Sequence, residues 1–232
     1  MPKFIADFFP NVANYWDIFL TALTATYQMF FIAGLITLLI GGAFGISLIV
    51  TKTDGIKPNR IIHFILEVIT NVFRAVPFII LLIFLIPLTR SIAGTSIGVK
   101  GAVVPLVFGA VPFYTRQVET ALADVNPGKI EAARSMGSST LGIIFRVYQH
   151  EALPDLIRVT TITAISLIGL TTSAGAVGAG GIGSFAINYG QNLHYQDVVN
   201  LCVILLLIIV SLIQLLGNTL SKATTNKELF HK

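Results

Sequence analysis

The residues able to do chemistry in this 232-residue chain are few and scattered. Its four histidines, His63, His150, His194 and His231, stand far apart, so no nucleophile, base or metal set converges within the sequence itself. His150-Glu151 opens the metalloprotease pattern H-E-x-x-H, but Pro154 occupies the place of the second histidine. Gly178, Gly180 and Gly183 spell G-x-G-x-x-G, the spacing that lets a backbone approach a pyrophosphate. That fingerprint needs a strand before it, a helix after it and an acidic residue about 20 positions on. Here an apolar helix precedes it, and Asp197 follows Gly183 by only 14 residues. Gly128-Lys129 would end a phosphate loop only with glycine at 123 and Ser or Thr at 130, and those positions are Ala123 and Ile130. No ATP site is encoded. Cys202, the single cysteine, excludes an internal disulfide and a cysteine-based metal site, and in the apolar run 201–213 it reads as a small hydrophobe.

The elements that must position these residues are membrane helices. Hydrophobic residues make up 54% of the chain and charged ones only 11%, against roughly 25% charged in a soluble domain. The mean hydropathy of +0.83 agrees. A net charge of +4 with no basic stripe argues against nucleic-acid binding. Residues 1–16 lack the basic start and small-residue cleavage site of a signal peptide. Five segments are long and apolar enough to cross a bilayer: 18–50, 61–88, 101–122, 156–179 and 198–220. Glu67, Asn71 and Arg74 share one face of the second, and Arg116 and Glu119 fall in the last turns of the third. Such charges either face the bundle interior or mark a helix end beyond the lipid, and the sequence leaves both open. A G-x-x-x-G at Gly41 and Gly45 is a candidate for a close helix crossing.

Basic residues orient the bundle. Nine of them (Lys52, Lys57, Arg60, Lys129, Arg134, Arg146, Lys222, Lys227 and Lys232) flank one side, and three (Lys3, Arg90 and Lys100) flank the other. The positive-inside bias then predicts an outer N-terminus and a cytoplasmic C-terminus. It makes 123–155 a cytoplasmic loop. Asn126-Pro127 is a helix start, Gly137 a helix stop, and Ser138-Ser139 a second start. Ile130, Ala133 and Met136 give the first helix a modest apolar side, and Leu141, Ile144, Phe145 and Tyr148 form a stripe on the second. Apolar residues on a loop outside the lipid either bind a partner or pack on their own bundle, and composition does not decide between them.

Glu131-Ala132-Ala133, then Gly137, then Leu153-Pro154, resembles the EAA motif of the membrane subunits of binding-protein-dependent ABC importers. The resemblance implies a coupling helix docked in a groove of an ATP-binding subunit, with Glu131, Ala132, Ala133, Arg134 and Gly137 at that contact. One departure is Gln149-His150, where many relatives carry an earlier Leu-Pro pair, so the second helix is expected to run further here. Residues 71–81 (NVFRAVPFIIL) and 174–191 (AGAVGAGGIGSFAINYGQ) look like the methionine-importer permeases in particular.

This likeness implies an all-α integral membrane protein of the type I ABC importer permease fold, forming one permease domain over 1–232. It implies a homodimer in a bacterial plasma membrane, two ATP-binding subunits that hold ATP and Mg, and an external binding (lipo)protein. The chain itself would need no cofactor, and would take up D- or L-methionine by alternating access. Another amino acid or small solute is the alternative substrate. Ser166, Thr171, Thr172 and Ser173 of the fourth span, with Gly180 and Gly181, could line a weakly polar passage, or the hydroxyls could bond their own helix. A stand-alone channel or carrier would place acids deep in several spans, whereas Glu67 and Glu119 lie near helix ends.

Overall fold

A computed structural model describes residues 8–229 of the chain, with side chains up to residue 225. Lys3, His231 and Lys232 lie outside the described residues, as does the side chain of Lys227. Every regular element described is helical. A short helix, α1 (Pro10–Asn14), leads into α2 (Trp16–Thr51), whose 36 residues reach roughly 54 Å at 1.5 Å each, well beyond a bilayer core. Then follow α3 (Arg60–Ala75), α4 (Phe78–Phe84), α5 (Ile86–Ala93) and α6 (Gly98–Ala123). The loop helices are α7 (Pro127–Ser135), α8 (Thr140–Ile143) and α9 (Gln149–Glu151), with a wide π-helical turn at Ile144–Tyr148 between the last two. α10 (Leu153–Gly175), α11 (Gly181–Phe185), a second π turn (Ala186–Gln191) and α12 (Gln196–Leu229) complete the chain.

Among the described residues, four helices are long and apolar enough to cross a membrane: α2, α6, α10 and α12. A fifth crossing is counted if α3 and α4 are taken as one bent span. The expected second span, 61–88, is therefore not a single helix. α3 and α4 meet at 106°. Pro77 has no N–H to donate, and a residue before proline is pushed out of the helical region, so the chain breaks at Val76-Pro77. Pro87 opens α5, and Gly94 ends it in the left-handed conformation at φ +73°. α6 nevertheless continues through Pro105 and Pro112. The expected fourth span also ends early, at Gly175 rather than 179.

The chain packs as two units. One gathers the chain up to Leu35, Val76–Gly109 and Ile165–Leu212; the other gathers Ile36–Ala75, Ala110–Ala164 and the chain from Ile213 onward. Each draws on three segments, so no single cut separates them.

In the first unit, Val12, Phe19, Ile182, Phe185, Val198 and Cys202 form an apolar core, and the thiol is buried in it. Tyr189 packs its ring against those of Tyr15 and Phe185, at 4.7 and 5.2 Å between centroids. Asn11 donates from its backbone N and its side chain to both carboxylate oxygens of Asp197, at 3.0 and 2.9 Å, tying α1 to the start of α12.

In the second unit, Ile49, Val50 and Ile56 pack with Val118, Leu122 and Val125 and with the loop residues Ala133, Ile143, Ile144 and Tyr148. The G-x-x-x-G does set a crossing there. A Cβ on Gly45 would lie 2.6 Å from the Val118 Cβ, and one on Gly41 would lie 3.0 Å from the Tyr114 ring, so α2 and α6 touch backbone to side chain.

Candidate functional site

The loop after α6 is built from local signals. The Asn126 side-chain oxygen accepts from Gly128 N at 2.8 Å, and Pro127 takes the first turn, where its missing N–H costs nothing. α7 closes with two bonds, Gly137 N to Arg134 O at 2.9 Å and Ser138 N to Ala133 O at 3.0 Å. This Schellman pattern needs the left-handed φ of +76° that glycine adopts without strain. Ser139 caps α8 by accepting from Gly142 N at 3.2 Å. The chain then winds on through the wide turn to Glu151, as expected where Gln149-His150 replaces a Leu-Pro pair.

That wide turn changes which residues face inward. Of the expected stripe, Ile144 and Tyr148 are buried, but Leu141 and Phe145 are 65% and 59% exposed, and Ile143 is buried in their place. An i, i+3, i+4, i+7 stripe assumes 3.6 residues per turn, and a π turn breaks that count. On α7, Ala133 is buried and Ile130 half-buried, while Met136 is 79% exposed. The loop therefore meets both readings of its apolar residues: one side roots it in its own core, and another is left uncovered.

The five motif residues do not share one face. Glu131, Ala132 and Gly137 are exposed, and Ala133 points into the core. The Arg134 guanidinium turns back on its own chain and donates to the Ile56 carbonyl at 2.6 Å. Lys129 pairs with Glu151, joining the first loop helix to the last. Burial pushes the Tyr148 phenol above its usual range, the Asp54 carboxylate adds to the rise and Arg134 partly offsets it.

In the same unit Arg116 gathers the charges the sequence had left scattered. It donates to Glu119 at 2.6 Å, to Asn71 at 3.0 Å and to Glu67 at 3.4 Å, and His63 stands 3.8 Å from Glu67. The polar face of α3 that carries Glu67 and Asn71 meets α6. Arg116 and Asn71 are 45 positions apart, so no spacing rule could have joined them.

A cleft of about 1110 Å³ also lies in this unit. Its walls are mostly apolar, from Leu38 and Ile46 to Leu156 and Ile213, with Tyr114, Gln149, His150, Thr160 and Thr161 as its polar points. The Tyr114 hydroxyl lies 2.8 Å from the Thr160 hydroxyl. Thr160 and Thr161 belong to the hydroxyl-rich fourth span, but nothing in the sequence points to Tyr114, because the pairing of α6 with α10 is not visible in one helix's pattern.

The six residues proposed for a passage lie in the other unit. Thr171 and Thr172 donate to Ile168 O at 2.8 and 3.0 Å, Ser173 donates to Gly169 O at 3.0 Å, and Ser166 is half-buried. Gly180 and Gly181 carry φ of +79° and +78°. A Cβ on Gly181 would lie 2.7 Å from the Thr26 hydroxyl, and Ile182 N donates to that same hydroxyl at 2.8 Å. The G-x-G-x-x-G glycines thus serve a tight helix-to-helix turn.

The family described as binding-protein-dependent transport system inner membrane component matches residues 41–226. The chain belongs to that family. A probable D-methionine transport system permease protein MetI of Vibrio cholerae is 38% identical over 91% of this chain and 94% of its own length. A methionine import system permease protein MetP of Bacillus subtilis is 41% identical over 75% of this chain and 78% of its own. Among solved structures, a chain of the MetNI methionine ABC transporter in inward-facing conformations matches with a TM-score of 0.88 and 41% identity, covering 91% of this chain and 98% of that one.

As a binding-protein-dependent inner membrane component, the chain is a multi-pass bacterial membrane protein with the type I ABC importer fold. It is a permease subunit, and ATP is hydrolysed by a separate subunit. Among its described residues, no group of three or more His, Cys, Asp or Glu could hold a metal ion.

Proposed function

We propose that the chain is the permease of an ATP-driven methionine importer, working as a homodimer with two ATP-binding subunits and an external binding protein. The relatives named for methionine transport support the substrate. One observation carries the coupling role. The two-helix loop is rooted in its own core by Ala133, Ile143, Ile144 and Tyr148, yet leaves Glu131, Ala132, Met136, Leu141 and Phe145 uncovered. Exposed apolar side chains beside small and acidic ones suit a groove on another protein.

In this reading ATP and Mg sit in the partner subunits. Their closure draws the two copies of the loop together and opens the permease outward, and hydrolysis returns it inward. Each partner shifts the permease only by its differential affinity for the two states. The hydroxyls of Ser166, Thr171, Thr172 and Ser173, with Gly180 and Gly181, offer a weakly polar passage. An oxygen that donates to its own helix keeps lone pairs to accept from an ammonium group. The N-terminus lies outside and the C-terminus in the cytoplasm, following the basic residues, and the whole chain acts as one permease domain.

The test is Glu131→Arg and Gly137→Trp, each in complex with the ATP-binding subunit. Both should insert in the membrane and lose ATPase copurification and methionine uptake by roughly tenfold or more, the loss expected once about 1.4 kcal/mol of docking is removed. Normal copurification with unimpaired uptake would sink the coupling role. Labelled uptake that unlabelled methionine fails to compete away would sink the substrate.

A further inference from the structure

Arg134 is exposed, yet its charged group is held by its own chain. Its Nη2 donates to Ile56 O at 2.6 Å across 78 positions of sequence. Ile56 is buried in a turn folded tightly against the end of α2. Lys57 N donates to Val50 O at 3.0 Å, and Asn59 N donates to Thr51 O at 2.9 Å. A Cβ on Gly55 would lie 2.5 Å from Val50 O, so this turn has no room to slide. The Ile56 carbonyl is thus fixed to the last turn of the first long helix. At the other end, Arg134 belongs to α7, and the Lys129–Glu151 pair holds α7 to α9 at the entry to α10.

We propose that Arg134 is a positioning residue that carries motion of the loop to the end of α2, while Glu131, Ala132 and Met136 make the contact with the ATPase. This rests on the reading of the loop as the ATPase contact. Apolar packing in the core that holds Ile56, Ala133 and Tyr148 excludes water but is non-directional, and it can slip under load. A guanidinium-to-carbonyl bond is charge-assisted and directional, so it transmits a pull along a defined line. The sequence resemblance groups Arg134 with the docking residues; the geometry separates it from them.

The test uses the assembled transporter in proteoliposomes, with Arg134→Met to remove the donors but keep an apolar stem, and Arg134→Lys to return a charged donor. ATPase should copurify with both. Methionine imported per ATP hydrolysed should fall roughly five- to tenfold in Arg134→Met, the size expected for one lost hydrogen bond, and recover in Arg134→Lys. An unchanged ratio in Arg134→Met, or loss of the ATPase from it, would overturn the role.

A second measurement needs no variant at Arg134. Spin labels at Lys57→Cys and Ser135→Cys should keep one narrow separation with and without ATP. A separation that changes on ATP binding shows that α7 moves independently of α2, and overturns the proposal. The parent chain distinguishes the failures. A parent that imports while Arg134→Met matches its ratio refutes Arg134 alone, whereas a parent that recruits no ATPase refutes the coupling reading as well.

Discussion

At Gly137 a Cβ would meet open space, and only the backbone angle, φ +76°, calls for glycine. At Gly183 the angle lies outside the left-handed region and the demand is for space, since a Cβ would lie 2.0 Å from the Thr172 carbonyl oxygen. The first glycine ends a loop helix whose outward side is uncovered. The second lets α11 press against the backbone of α10 inside a packed unit. Gly175 repeats the second case, with a Cβ position 2.5 Å from Ser184 N. The difference teaches that Gly137 in the loop shapes a surface for something else to meet, while Gly175, Gly181 and Gly183 are used up in internal packing and Gly178 and Gly180 face open space. A glycine-rich stretch is therefore no pointer to a ligand until the space around each missing Cβ is known.

The contrast can be broken in order of expected effect. Gly183→Ala should be the most damaging, at about 3 kcal/mol, because a methyl group overlaps a backbone carbonyl that cannot rotate away. It should show as a large drop in the melting temperature of the detergent-purified protein, and a normal melt would mean the two helices can part without cost. Next is Thr26→Val. It keeps the volume but leaves Ile182 N–H buried without its acceptor, at a cost of about 2 kcal/mol. Native-state hydrogen exchange should locate the loss at residues 181–185, and unchanged protection there would show that the Thr26 hydroxyl is replaceable. Smallest is Gly137→Ala, at about 1 kcal/mol, since the only penalty is a left-handed angle with no clash. Its melt should shift less than half as far as that of Gly183→Ala, and an equal shift would erase the distinction.

Much of the loop was legible in advance because its signals are local. Asn126, Gly137 and Ser139 act on backbone groups within three residues, and each does in the structure what its type predicts. The inward face of the second loop helix was only half legible. Leu141 and Phe145 belonged to the expected stripe and are exposed, because the π turn at Ile144–Tyr148 shifts the register and periodicity presupposes a regular helix. The bend at Pro77 was in the sequence for anyone weighing a proline at mid-span, but the apolar run on both sides of it spoke for one crossing. The pairing of Tyr114 with Thr160 in the cleft carried no signal, because it joins two different helices.

By itself the sequence determined that this is a bilayer protein with long apolar helices, no nucleotide site of its own and a capped two-helix loop. Those properties follow from composition and from contacts between near neighbours. Only the tertiary structure decided that Arg116 would join Glu67, Asn71 and Glu119, that Gly45 would admit Val118, and that Arg134 would reach the Ile56 carbonyl. Each of those pairings depends on which helices lie side by side. Helix packing is set by the fit of whole surfaces, and no spacing within one segment encodes it.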